Sequence, residues 1–290
     1  MSPFQPIILI GAARSGTKLL RDVIASHPAA DRVPYDVNYV WRLGNEHFTH
    51  DELPESAATP DIANQIISYF DNTFSTGKPY LVEKTVSNCL RVPFVCKVFP
   101  KARFVHLVRD GRDVLESSYR QWIAGPDWRY VMRKAVQFPV LKAPAYAVSY
   151  ARILMQKLTL RNQHVEHQRA TWGPRYEGID NDIKTKDLLE VCAIQWARSV
   201  DTAIDGLNQV APEQVFTIRY EDFVESPLKS LAEIGKFIGL NPEPFQAIVR
   251  VQDISRQNLG KGLRNLNPEQ VALVMPRIET TLRRLEYILK

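Results

Sequence analysis

A chain of 290 residues is one large domain or two small ones at roughly 150 residues per domain, and its 45% hydrophobic and 24% charged residues exclude collagen-like, coiled-coil and disordered classes. The 37 Lys+Arg against 32 Asp+Glu leave a net charge of +5, which suits anionic small molecules or acidic glycans and falls short of a nucleic-acid tail. The three cysteines, Cys89, Cys96 and Cys192, lack the paired C-x-x-C spacing of a zinc or thioredoxin site and fit a reducing compartment. No run of about 20 apolar residues predicts a spanning helix, and the amino end lacks a signal-peptide pattern, so a cytoplasmic location is expected.

Ile7 to Ile10 is a short apolar run ended by Gly11, and Ser15 to Ser26 carries Leu19, Leu20, Val23 and Ile24 at helical period. This predicts strand, loop, helix. Tyr80 to Val82 reads as a second strand, followed by a helix over roughly Cys89 to Phe99, a strand at Phe104–Val108 and a helix from about Arg112. Between about Ile123 and Asp187 the pattern turns helical, basic and aromatic with proline breaks, as in an inserted cap. Val215 to Ile218 is a further strand, ahead of a helix from Pro227 to near Gly239 and a last helix started by Asn267-Pro268, with a kink expected at Pro276. Apolar strands alternating with helices predict an α/β fold, a parallel sheet flanked by helices, in a single domain over residues 1–290 with an insertion at about 123–187.

The segment Gly11-Ala-Ala-Arg14-Ser15-Gly16-Thr17-Lys18 stands where a phosphate loop belongs. Glycines permit the tight turn, and N–H groups at the helix start bind an anion. The Walker A pattern needs Gly-Lys-[Ser/Thr], but here the lysine comes one place late and Leu19 replaces the metal-binding hydroxyl, which disfavours ATP or GTP. Arg14 offers planar, permanently charged donors for an anion that gains charge during transfer. Further on, Arg109 ends a strand and Ser117 follows eight residues later in the next helix, two donors that converge if that helix packs at the sheet's carboxyl edge. Taken alone, Arg109 would also serve as a surface partner of Asp110 or Asp113, and Ser117 would bond its own helix.

These two motifs together resemble the sulfotransferases that use 3′-phosphoadenosine 5′-phosphosulfate (PAPS). In that family a Gly-x-x-Arg/Lys-Ser-Gly-Thr loop grips the 5′-phosphosulfate, and a strand-end Arg with a Ser eight residues on holds the 3′-phosphate. The resemblance extends to Glu83-Lys84-Thr85, Tyr220-Glu-Asp222 and Gly260-Lys-Gly-Leu-Arg264. It implies that Arg14, Ser15, Gly16, Thr17 and Lys18 meet the donor's phosphosulfate and that Arg109 and Ser117 meet its 3′-phosphate. It also implies that Tyr220 lies near the adenine, that Lys261 and Arg264 sit in a loop closing over the nucleotide, and that PAP is the product.

Sulfuryl transfer needs an aligned acceptor hydroxyl, a base, and positive charge at the departing bridging oxygen; Arg14 and Lys84 are the candidate cations. Cytosolic members carry a histidine after a lysine-threonine pair, but this chain reads Lys84-Thr85-Val86. A carboxylate then comes into consideration, either Asp36, near where tyrosylprotein-type relatives place a glutamate, or Glu83, each needing a raised pKa, the third alternative being a base that is neither of them. His27 and His106 read as structural, and His164 and His167 as a solvated face.

Trp122, Trp128, Tyr130, Trp172, Arg175 and Tyr176 give the insertion aromatic faces beside cations, suited to a carbohydrate or small-metabolite acceptor as well as to plain core packing. Phe138 to Leu160 suits peripheral contact with a membrane surface, or more simply a buried helical cap. Two alternatives remain: a P-loop nucleotide-dependent kinase, for which Phe104 to Asp110 offers a faint Walker B strand, and a non-catalytic nucleotide-binding protein that retains PAP without transferring sulfate. Acceptor identity and oligomeric state are not legible.

Overall fold

Ile7 to Ile10 are each at most 1% exposed, so their strand must be covered on both faces, as a parallel sheet between helices provides. The computed structural model describes residues 3–123, 173–246 and 254–288. The chain divides into two compact units, residues 1–119 with 173–290 and residues 120–172. The second enters the described residues only at 120–123. Residues 173–187, expected within the insertion, belong to the first unit; Trp128, Tyr130, Trp172, His164, His167 and Phe138 to Leu160 lie outside the described residues.

In chain order the elements are β1 (Gln5–Ile10), α1 (Thr17–Ile24), β2 (Ala30–Arg32), α2 (Asn38–Trp41), α3 (Pro60–Phe74), β3 (Tyr80–Glu83), α4 (Val92–Val98), β4 (Arg103–Val108) and α5 (Gly111–Ile123). After the second unit come α6 (Ile179–Thr185), α7 (Leu188–Leu207), β5 (Val215–Arg219), α8 (Tyr220–Glu225), α9 (Pro227–Ile238), α10 (Lys261–Asn265) and α11 (Pro268–Arg284). The five strands form one sheet in the order β2-β3-β1-β4-β5, with every pairing parallel. Ile8 pairs with Glu83 on one side and Phe104 on the other, so β1 is central.

Alternation along the strands splits the core. Ile7, Leu9, Val82, Val105, Leu107 and Ile218 pack with Leu20, Val23 and Ile24 of α1 and Leu231, Ile234 and Ile238 of α9. Local chemistry sets the helix ends. The Asp187 side chain accepts from Leu189 N at the start of α7, Asn267 and Gln270 form a capping box on α11, and Gly239 at φ 85° closes α9.

The expected strands appear with ends shifted by a residue or two, and β2, α3 and α7 are additions that sequence periodicity missed. The helix expected over Cys89 to Phe99 is a correction: Val86–Leu90 is a 3₁₀ turn and α4 starts only at Val92. Pro93 has no N–H to bond the Cys89 carbonyl and instead takes a first-turn position of α4, where no such bond is needed. In contrast, α11 runs through Pro276 as one helix.

Candidate functional site

Arg14 to Lys18, Asp36, Glu83, Lys84, Arg109 and Tyr220 lie at or just beyond the carboxyl ends of parallel strands, where open α/β sheets bind ligands, and Ser117 lies in the helix that follows β4. The chain leaves β1 for the β2 side and later crosses to β4, so the switch point falls between β1 and β4. There Gly11 runs so close to β4 that a Cβ on it would lie 2.7 Å from the Leu107 carbonyl oxygen. Arg14 adopts φ 70° and Gly16 φ 94°, left-handed conformations that wrap the loop around the start of α1. No side chain caps α1, so its first N–H groups and the positive end of its dipole face the loop. Ser15 and Thr17 are buried and Lys18 is exposed.

The second motif folds onto the first. Arg14 Nε donates to Ser117 Oγ at 2.9 Å, and Arg109 Nη1 donates to the Arg14 carbonyl at 3.2 Å. Arg109 is 7% exposed; its Nη2 donates to the Asn258 carbonyl at 2.6 Å and lies 3.6 Å from Asp113 Oδ2. Its Nε is buried with no hydrogen-bond partner. A buried guanidinium donor left over at a strand end suits an anion.

Tyr220, expected near the adenine, packs against both segments. It is 4% exposed, with the Arg109 guanidinium carbon 4.3 Å from its ring centroid, and a Cβ on Gly16 would come within 2.5 Å of the ring. The ring is thus a floor under both anion-binding segments, held by cation–π contact and close glycine packing. Lys261 Nζ donates to Asn258 Oδ1 at 2.7 Å and Arg264 Nη2 to the Leu259 carbonyl at 2.8 Å, so both stabilise the late segment itself.

At the ends of β2 and β3, Lys84 Nζ and Asp36 Oδ1 form an ion pair at 2.8 Å, with Asp36 half-buried and Lys84 buried. Val37 N donates to Thr85 Oγ1 at 3.0 Å and ties the two segments together. Glu83 sits apart from solvent at 1% exposure; burial pushes its carboxyl up, and Oε2 accepts from Asn88 Nδ2 at 3.0 Å.

Sequence reading missed the polar scaffold beneath this pair. Arg91 Nη2 donates to Asn38 Oδ1 at 2.5 Å, Asn38 Nδ2 to Asp51 Oδ1 at 2.9 Å, and Ser87 Oγ to Asp51 Oδ2 at 2.8 Å. Burial works against the Asp51 charge, but Arg91 and the bonds from Asn38, Arg175 N and Ser87 hold its carboxyl below the usual range. Burial brings the Arg91 guanidinium down to about 10. Of the residues expected on the acceptor side, Arg175 donates its backbone N–H to Asp51 Oδ2 at 2.9 Å and its guanidinium to Asp180, and buried Tyr176 donates to Asp182 at 2.8 Å. His106 is packed inside β4, where burial lowers it to about 4.

A family model described as "Sulfotransferase family" matches residues 6–166 and 163–244. The chain is 25% identical over 269 residues to a putative protein-tyrosine sulfotransferase of Caenorhabditis briggsae, covering 83% of this chain and 90% of that one. It is 30% identical over 140 residues to protein-tyrosine sulfotransferase 1 of Danio rerio, covering 42% and 38%. Among solved structures, the sulfotransferase domain of the Synechococcus PCC 7002 olefin synthase superposes with TM-score 0.52 at 18% identity, covering 99% of this chain and 96% of that one. Mouse sulfotransferase SULT7A1 complexed with PAP gives 0.51 at 15%, covering 99% and 92%. At such identities the two structures speak for the fold.

Proposed function

Because the chain belongs to the sulfotransferase family, we propose that it transfers a sulfuryl group from PAPS to a phenolic hydroxyl, with Arg14, Arg109 and Ser117 holding the donor and Asp36 accepting the acceptor's proton. The observation that carries this reading is the junction of the two anion-binding motifs, Arg14 Nε on Ser117 Oγ and Arg109 Nη1 on the Arg14 carbonyl, at one switch point. PAPS supplies an activated sulfuryl group on a phosphate leaving group. The N–H groups at the start of α1 and the Arg14 guanidinium neutralise charge on the departing phosphate oxygen. Lys84 adds an ammonium at the neighbouring strand end, and its partner Asp36 takes the proton as the acceptor oxygen bonds to sulfur.

Of the two carboxylates open from sequence, placement favours Asp36. Glu83 is 1% exposed and its Oε2 already accepts from Asn88, so it has no access to a hydroxyl. A phenol, with a reference pKa near 10, is more easily deprotonated than an alcohol and asks less of a carboxylate already paired with an ammonium. The relatives named as protein-tyrosine sulfotransferases support the same acceptor class. Arg175 and Tyr176, which suggested a carbohydrate or small-metabolite acceptor, pair with Asp180 and Asp182. The free cysteines 89, 96 and 192 support a reducing, cytoplasmic setting; among the described residues no helix is long and apolar enough to cross a membrane.

Calorimetric titration with PAP, ADP and ATP, each with and without magnesium, tests the donor. PAP should bind tightest and indifferently to magnesium; tight binding of ATP only with magnesium would restore the kinase alternative. Incubation with PAPS and either a tyrosine peptide or an oligosaccharide tests the acceptor, and sulfation of the sugar alone would overturn the phenolic assignment. Retention of PAP with no transfer to any acceptor would point to the non-catalytic alternative.

A further inference from the structure

Asp113, one of two surface partners that the sequence alone offers for Arg109, is 3% exposed and holds three partners at once. Its Oδ2 accepts from Gly260 N at 2.8 Å and its Oδ1 from Gly262 N at 2.7 Å, while Arg109 Nη2 stands 3.6 Å from Oδ2. The same Nη2 reaches forward to the Asn258 carbonyl. Arg109 and the segment 258–262 are thus both tied to one carboxylate in the first turn of α5, and to each other. The fit is close: a Cβ on Gly262 would overlap the Arg112 carbonyl oxygen, so no other residue seats there without displacement.

We propose that Asp113 is a positioning residue for recognition of the donor's 3′-phosphate, acting through Arg109 and the 258–262 backbone; this rests on the PAPS reading above. A carboxylate beside a phosphate site repels the phosphate directly, so its presence there needs a compensating role. That role is to fix the guanidinium, whose buried Nε has no hydrogen-bond partner among the described residues, and to hold the segment carrying Lys261 against it. The two effects of removing Asp113 have opposite signs, and an experiment separates them.

The test is titration of the full chain with PAP and with 5′-AMP, which lacks the 3′-phosphate. The unaltered protein should prefer PAP; absence of that preference would refute the PAPS reading itself. Given the preference, Asp113→Asn should weaken PAP at least tenfold and leave 5′-AMP within about threefold. PAP binding that is unchanged or tighter would overturn the proposal, since loss of charge repulsion alone has that result. Equal weakening of both ligands would also overturn it, reducing Asp113 to general scaffolding. Should Asp113→Asn fail to fold by its melting curve, Gly262→Ala keeps Asp113 and Arg109 and displaces the segment, with the same selective loss of PAP expected and an equal loss of both ligands refuting.

Discussion

Replacing Arg109 by alanine removes more than one interaction, and the structure allows the consequences to be separated. The guanidinium donates to two carbonyls, of Arg14 and Asn258, stacks on Tyr220 at 4.3 Å and neighbours Asp113 at 3.6 Å. Breaking a buried pair by deleting one partner costs about 3–5 kcal/mol, but Asp113 keeps its two backbone donors, so a stability loss of about 2–3 kcal/mol is expected. Binding of PAP loses one or two charge-assisted hydrogen bonds, about 2–4 kcal/mol, or roughly 30- to 1,000-fold in affinity. Arg109→Lys keeps the charge but not the planar fork that serves both carbonyls, and should fall between. Calorimetry gives the PAP affinity and a melting curve the folded fraction. If Arg109→Ala is folded and binds PAP within threefold of the unaltered protein, the assignment of the 3′-phosphate to this residue is wrong.

Asp36→Asn should abolish turnover while PAP still binds, whereas Glu83→Gln, which keeps an oxygen for Asn88, should retain turnover; the reverse result returns the base role to Glu83. Gly16→Ala forces a side chain into φ 94° and within 2.5 Å of the Tyr220 ring, for a loss of about 2–3 kcal/mol that adding Tyr220→Ala relieves only in part because the backbone strain remains. Thermal melting of both variants checks this, and full relief would show that the strain is negligible. Burial lowers His106 to about 4 in the folded chain against the ordinary histidine value of 6.5, so as pH falls below 6.5 the unfolded chain takes up a proton that the folded chain refuses until about pH 4. Stability should therefore drop by ~3 kcal/mol across that window from this residue alone, and His106→Val should flatten the denaturation midpoints measured between pH 7 and 5; an unchanged slope would mean that His106 is not buried in solution.

What could be read from sequence was whatever depends on neighbours along the chain. Ile7 to Ile10 announced a central strand because four apolar side chains in succession leave no face for water. Gly11, Arg14, Gly16 and the Arg109–Ser117 spacing marked the two segments proposed to bind the donor because tight turns and helix starts are local chemistry. The three-residue β2 was invisible: Ala30-Asp-Arg32 has no strand composition and exists by pairing with β3. In α7, the buried Gln195 and Ser199 interrupt the apolar stripe that would have marked the helix, and only tertiary packing explains them.

The catalytic side was less legible for the same reason, since a carboxylate's chemistry is set by what surrounds it and not by its position in the chain. Asp36, Asp51, Glu83 and Asp113 are alike in the sequence, yet each is given a separate role by partners dozens of residues away. Asp36 is half-open and paired with Lys84, Asp51 is held below the usual carboxylate range by Arg91 and its hydrogen-bond donors, Glu83 is enclosed and pushed up by burial, and Asp113 is clamped to glycines almost 150 positions on. These differences make the four residues separable by experiment: neutralising Asp36 should act on turnover, Asp51 and Glu83 on stability, and Asp113 on selectivity for the 3′-phosphate. Were all four amide variants to lose activity in the same way, with the same fall in melting temperature, the division of roles would collapse into one shared structural requirement.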